Sequence, residues 1–344
     1  MTRCERLLKE TGCPVLITSD ENCFYYSGFT GGDSFLLISE DFKGLFTDGR
    51  YTVQAKEEAP DFEVFDHDVI NNLKKIAEDK NIEVAGFEES NMTVANMARF
   101  TFLKLIPVGG KINGLRKIKD ETEIKKIAEA EKLSEEAFNY FLENAKSGMT
   151  ETEVASLIES YMRKNGARKP SFETIVASGK RGAMPHARAE NEIIVPGFPV
   201  VCDFGCMLDN YCSDMTRSIF FSYAEEKCRE IYEIVKKANL ATLSVAKEGL
   251  TAGEVDKAAR DIIEEAGYGK EFCHSLGHGV GLQVHEAPYA RSKSEEVLLS
   301  GMTLTIEPGI YIPNFCGVRI EDLVVIEKNG VKNLNKITKD LIIL

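Results

Sequence analysis

Three of the chain's five histidines fall inside one stretch, His274-Ser-Leu-Gly-His278-Gly-Val-Gly-Leu-Gln-Val-His285-Glu286. A lone histidine is most often a satisfied core residue. Three of them among Gly277, Gly279 and Gly281 are a different signal, because glycines strip side chains from the backbone and let a substrate or metal approach. His274 and His278 stand at i, i+4, the spacing of a zinc pair on a helix. The glycines oppose a helix, and Ser275 holds the place of the general-base glutamate of an H-E-x-x-H motif. The spacing therefore predicts a glycine-rich strand or loop lined with imidazoles and completed by carboxylates from elsewhere.

Four acids are candidates. Asp203 closes the apolar run Val200-Val-Cys-Asp203, and Glu307 closes Thr303-Leu-Thr-Ile-Glu307. Asp214 lies in Ser-Asp214-Met-Thr-Arg-Ser, and Glu321 in Val318-Arg319-Ile-Glu321-Asp-Leu-Val-Val-Ile326, read as one strand. Alternation puts Arg319 and Glu321 on one face, and likewise Asp214 and Thr216. A buried, unpaired carboxylate is costly, and four together cannot all stay ionised without cations. Oxygen donors with one imidazole suit Mn, Co, Fe or Zn. Two such ions could hold a hydroxide and clamp a reacting carbonyl.

The elements that must position these residues repeat. Gly148-Met-Thr150-Glu-Thr-Glu-Val154 is echoed roughly one hundred residues later by Gly249-Leu-Thr251-Ala-Gly-Glu-Val255. In both, a threonine cap and a glutamate three residues on start an apolar-striped helix. At similar offsets His186 matches His285, Asp203 matches Glu307, and Asp214 matches Glu321. Each half runs helix, His, acidic strand, turn, acidic strand. Two facing halves would bring the acids and imidazoles to one centre. Upstream, residues 1–115 read as alternating strands and helices, with Tyr25 to Gly32 as an aromatic-flanked turn. A boundary falls near Gly109–Gly114, and one long amphipathic helix then runs to about Ala145, its charged face read as solvated surface. His67, between Asp66 and Asp68, reads as a surface residue.

With 344 residues, two domains are expected. A formal charge of −13 argues against nucleic acid and anionic membranes as partners. No apolar run is long enough to cross a membrane, and Met1-Thr-Arg-Cys-Glu-Arg lacks a signal peptide's apolar core. The nine cysteines have no framework spacing, so free thiols in the cytoplasm are expected. Cys202, Cys206 and Cys212 cluster with a spacing foreign to zinc sites and read as buried small hydrophobes.

His274 to Glu286 resembles the proline-peptidase signature of the pita-bread metallopeptidases, which include Xaa-Pro aminopeptidases and prolidases. Gly28-Phe-Thr-Gly31 and Thr47-Asp-Gly-Arg-Tyr51 resemble the amino-terminal domain of those enzymes, and Leu115-Arg-Lys-Ile-Lys119 with Glu123-Ile124 resembles their interdomain helix. The resemblance implies an α+β chain. It would have a creatinase-like α/β domain over 1–115 and a pita-bread catalytic domain with an internal pseudo-twofold over 116–344.

It also implies a site. Asp203, Asp214, His278, Glu307 and Glu321 would ligate two divalent ions, with Asp214 and Glu321 bridging. Mn is the leading metal, and Co or Zn are tolerated. The bridging hydroxide would attack the carbonyl before proline, with Glu307 as proton acceptor. His186 and His285 would contact substrate, His274 would lie near it, and Arg319 would orient a carboxylate such as Asp214. The expected function is an Xaa-Pro aminopeptidase acting as a homodimer on short peptides with proline second. The alternative is a prolidase acting on Xaa-Pro dipeptides. A methionyl aminopeptidase is disfavoured by the amino-terminal domain and His274, and a creatinase-type non-peptidase by the full ligand set.

Overall fold

The computed structural model describes residues 1–344, which form two compact units, Met1–Arg116 and Lys117–Leu344. In the first unit six strands, β1 (Val15–Ile17), β2 (Phe35–Ser39), β3 (Phe42–Phe46), β4 (Glu63–Phe65), β5 (Val84–Phe87) and β6 (Lys104–Pro107), make one sheet in the order β4-β3-β2-β1-β5-β6. The β1–β2 and β2–β3 pairs are antiparallel, and the others are parallel. Leu16, Leu37, Phe46 and Ala85 bury one face of the sheet against Leu73 and Ala77 of the helix Val69–Asp79. His67 is exposed.

One local expectation fails here. Tyr25, Tyr26 and Ser27 lie in a helix, Asp20–Ser27, and not in a turn. Ser19 caps it by accepting from the Asn22 amide, and Asp20 and Glu21 favour its positive end. The turn comes only at Gly28, in the left-handed region at φ 84°. The boundary expected near Gly109–Gly114 falls between Arg116 and Lys117, just past that stretch, which forms a short helix closing the first unit.

The second unit is built from two helix pairs that pack separate cores. Helix Glu121–Asn144 packs on Glu151–Lys164, and helix Glu226–Val245 on Ala252–Glu265. Thr150 and Thr251 each form a capping box, with Glu153 and Glu254. The first pair buries Ala137, Phe138, Val154 and Ile158 against Val200, Cys202, Phe204, Met215 and Ile219. The second buries Ile231, Val235, Val255 and Ile263 against Leu304, Ile306, Val318 and Val324. The two chain halves thus offer equivalent scaffolds, each placing acidic strand ends over its own helices.

Strand Val200–Phe204 pairs antiparallel with Met215–Ile219, setting Asp203 opposite Thr216. Thr303–Ile306 pairs antiparallel with Asp322–Glu327. The expected single strand over 318–326 is broken. Cys316–Arg319 pairs with Gly309–Ile312, the chain then changes partner, and Glu321 sits in the switch. Its amide donates to the Thr216 carbonyl at 3.1 Å, which ties the two halves together.

Buried Arg217 reinforces that seam. Its guanidinium pairs with Asp322 at 2.9 Å, and it donates to the carbonyls of Thr216, Glu321, Ile337 and Thr338. Removing one partner of a buried pair leaves an uncompensated charge. Arg217→Ala is therefore expected to cost about 3–5 kcal/mol, toward the low end because Lys339 still reaches Asp322 at 2.8 Å. Urea unfolding would check this, and a change under about 1 kcal/mol would contradict the role.

Candidate metal centre

A cavity of about 430 Å³ lies within the second unit. Its walls include all nine residues singled out from the sequence: His186, Asp203, Asp214, His274, His278, His285, Glu307, Arg319 and Glu321. Asp203 comes from strand Val200–Phe204, and Asp214 from the residue preceding Met215–Ile219. Glu307 follows strand Thr303–Ile306, and His278 lies on Gly277–Gly279, the glycine-rich strand anticipated. Gly277 is required there, since a Cβ at that position would meet the Thr305 carbonyl oxygen at 1.9 Å. That close approach seats His278 over Glu307, and the Thr305 hydroxyl accepts from the His278 amide and donates to Glu307.

Ligand atoms of Asp214, His278 and Glu321 all lie within 4.8 Å of one another. The His278 Nε2 stands 3.6 Å from Asp214 Oδ2 and 3.4 Å from Glu307 Oε1. His278 Nδ1 is 3.2 Å from the Gly279 carbonyl. A carbonyl can only accept, so Nδ1 carries the proton and Nε2 presents a lone pair to the acids. Burial lowers the His278 pKa to about 3, so the ring is neutral. A bare imidazole nitrogen facing carboxylate oxygens is repulsive alone and attractive around a cation.

The acids show the same need. Burial raises Glu307 to about 8. Asp214 and Glu321 are raised well above the ordinary carboxyl range, first by burial and then by each other's company and that of Glu307 and Asp203. Asp203 Oδ1 is buried with no hydrogen-bond partner, while Oδ2 pairs with Arg319 at 2.5 Å. An orphaned carboxylate oxygen, a bare imidazole nitrogen and crowded acids suit hard or borderline divalent cations. The donors present therefore fit such ions.

Around this floor runs a set of supports that the sequence did not announce. Tyr311 joins two of the predicted residues: its hydroxyl accepts from Arg319 Nη1 at 2.6 Å and lies 2.9 Å from His274 Nε2. His274 Nδ1 is 2.7 Å from the Ser275 carbonyl, so Nδ1 is the protonated nitrogen and Nε2 accepts from Tyr311. Burial, with the Arg319 charge, lowers His274 to about 4 and keeps it neutral. Arg319 pairs with Asp203 and not with Asp214, correcting the expected partner. Its Nε also donates to Thr216 Oγ1, which donates on to Glu321 at 2.6 Å.

Asp214 is held from behind by Glu131, whose carboxylate accepts from the Asp214 amide at 3.2 Å and from Asn335 at 2.6 Å. Glu131 is fully buried, and burial pushes its pKa to about 8. The helix that carries it is therefore not solvated along its whole charged face, since Glu123 and Glu135 are buried on it as well. Asn239 clamps the other half by donating to the carbonyls of Ile306 and Ile320.

His186 and His285 are exposed on the cavity rim. His186 rides on the segment after Gly179–Ala183, where Gly182 and Gly317 meet backbone to backbone. A Cβ on Gly317 would strike the Gly182 carbonyl oxygen at 1.8 Å. The His285 ring meets His278 edge-on at 4.3 Å between centroids. All nine cysteines are free, and Cys202, Cys206 and Cys212 are buried.

The profile of metallopeptidase family M24 matches residues 125–328, and that of the creatinase/prolidase N-terminal domain matches residues 1–118. The chain belongs to metallopeptidase family M24. It thus has the pita-bread fold and a creatinase-type amino-terminal domain, and it is an enzyme of a metal-dependent class. Among M24 relatives, an Xaa-Pro dipeptidase of Pyrococcus horikoshii is 42% identical over 337 residues, covering 95% of this chain and 94% of that one. A solved Xaa-Pro dipeptidase from Bacillus anthracis superposes with a TM-score of 0.96 at 40% identity over 99% of both chains. A solved X-Pro aminopeptidase from Thermotoga maritima gives 0.93 at 39% identity over 100% of both. No helix is long and apolar enough to cross a membrane.

Proposed function

We propose that this chain is an Xaa-Pro dipeptidase, a prolidase, which holds two divalent ions on Asp203, Asp214, His278, Glu307 and Glu321, with Mn the leading metal. The sequence alone ranks an Xaa-Pro aminopeptidase first. The relatives named as dipeptidases favour the alternative and reverse that order. A homodimer and a cytoplasmic location belong to the same reading and rest on the family resemblance. The observation that carries the metal assignment is the bare Nε2 of His278, aimed at Asp214 and Glu307 beside the orphaned Oδ1 of Asp203.

Bound divalent ions would supply a hydroxide nucleophile at neutral pH and polarise the scissile carbonyl. The chain does the rest. The Glu307 carboxylate, held ionised by the cations it would ligate, could take the nucleophile's proton and return it to the departing proline nitrogen. Neutral His274, with its tautomer set by Ser275 and Tyr311, and the rim imidazoles of His186 and His285 offer contacts to the substrate carbonyl and termini. Proline has no amide hydrogen and restricts the residue before it, so peptidases that grip that hydrogen fail on it. A cavity that works on the carbonyl and the termini does not need it.

Purified protein with added Mn is expected to split Ala-Pro into its two amino acids, to cut Ala-Pro-Gly more slowly, and to leave Met-Ala-Ser intact. Faster cleavage of Ala-Pro-Gly would return the aminopeptidase reading, which the Thermotoga neighbour favours. His274→Ala is expected to lower kcat by about 10²–10⁴-fold at unchanged metal content. Loss of metal in that variant would instead make His274 a ligand.

A further inference from the structure

His274 stands beside the metal ligands, yet the stretch from Glu271 to Leu276 that carries it is neither helix nor strand. Helix Ala252–Glu265 holds that stretch with two side chains one turn apart, Asp256 and Arg260. Arg260 Nε donates to Asp256 Oδ2 and Nη2 to Oδ1, each at 2.8 Å, a fork-to-fork pair. Pairs at this spacing on an exposed helix face contribute little. Here the Asp256 side chain is 1% exposed and that of Arg260 20%, so the pair is shielded from solvent.

Both members of the pair reach the His274 segment. Arg260 Nη1 donates to the Phe272 carbonyl at 3.1 Å, and Nη2 to the His274 carbonyl at 3.0 Å. Asp256 Oδ1 accepts from the Leu276 amide at 3.1 Å. The guanidinium also lies 4.2 Å from the centre of the Phe272 ring, and that ring meets the His274 imidazole edge-on at 5.1 Å. One planar cation thus fixes the backbone of His274 and, through Phe272, the packing of its ring. The other half of the chain repeats the device. Buried Glu151, at the start of helix Glu151–Lys164, pairs with Arg181 at 2.9 Å and accepts from the Ser178 and Glu190 amides. Arg181 donates to the Arg188 carbonyl and so holds the segment that carries His186.

We propose that Arg260, braced by Asp256, is a positioning residue that sets His274 for Xaa-Pro cleavage from behind the cavity wall. The proposal rests on the dipeptidase reading. Neither Asp256 nor Arg260 lines the metal cavity, so both act through the histidine they hold. A displacement of about 1 Å in a group that works on the substrate can cost about 100-fold in rate.

The test is a double-mutant cycle on the Mn-loaded enzyme, with kcat and KM for Ala-Pro and Mn content measured in wild type, Arg260→Gln, His274→Ala and the double variant. Arg260→Gln is expected to lower kcat about 10- to 100-fold with little change in KM or Mn content. In the His274→Ala background the same change should cost less than about twofold, because both substitutions act on one imidazole. Combined with His186→Ala, its cost should instead multiply in full. Arg260→Lys keeps the charge opposite Asp256 but loses the fork, and should recover part of the lost kcat. It carries the same cycle if Arg260→Gln does not fold. An undiminished cost in the His274→Ala background, loss of Mn, or an unchanged kcat in Arg260→Gln would overturn the positioning role and leave the dipeptidase reading standing. Failure of wild type to cleave Ala-Pro would overturn that reading, and this proposal with it.

Discussion

Asp214→Ala should leave a folded protein that binds almost no divalent metal and hydrolyses Ala-Pro at least about 10⁴-fold more slowly than wild type. Its carboxylate lies within reach of both His278 and Glu321, so it is shared by any ion bound between the two halves of the chain. No neighbour can replace it. Thr216 already serves Glu321 and Arg319, and Glu131 holds the Asp214 backbone amide from behind. Removing the side chain relieves crowding among acids that raise one another's pKa. Thermal unfolding without added metal should therefore be no lower than for wild type in the same state. Metal analysis after gel filtration checks the binding claim. Near-normal metal with lost activity would reduce Asp214 to an orienting role, and retained activity would remove it from the site.

Chelation is expected to have the second largest effect. Dialysis against EDTA should take hydrolysis of Ala-Pro below about 1% of its starting rate, and Mn or Co should restore it. Stability should move with activity. A ligand present at about a thousand times its Kd stabilises the state that binds it by about 4 kcal/mol. For a domain of this size that is a rise in Tm on the order of 10 °C between the stripped and loaded protein. The sign follows from the site itself, since the ions would offset the repulsion among Asp214, Glu307 and Glu321 in the folded chain only. A chelated enzyme with full activity and an unmoved Tm would exclude a metal mechanism.

The sequence carried the site residues further than it carried their supports. Asp203, Asp214, His278, Glu307 and Glu321 were legible because each combines a costly residue type with an apolar strand or a glycine run, and because the pattern occurs twice. Thr150 and Thr251 gave the helix starts for a local reason, since a capping box lies within four residues. Tyr311, Glu131, Asn239 and Arg217 were not legible. Each meets its partner across a long stretch of chain, as Glu131 does with Asp214 and Asn239 with Ile306. One-dimensional periodicity says nothing about such pairings. Glu131 misled in particular, because a glutamate on an amphipathic helix normally marks the wet face. Alternation predicted a single strand from Val318 to Ile326, but Glu321 lies where the chain trades one partner strand for another, a tertiary event. Ser19 ahead of Asp20 and Glu21 was a readable helix start, and the aromatic run before Gly28 hid it.

The central claim is that four carboxylates and one neutral imidazole from two matched halves of the chain hold a pair of divalent cations in one cavity. An anomalous-scattering map from a crystal of the Mn-loaded protein tests it most directly. The account predicts two Mn peaks per chain in contact with Asp203, Asp214, His278 Nε2, Glu307 and Glu321. Peaks placed elsewhere, or none at saturating Mn, would contradict it.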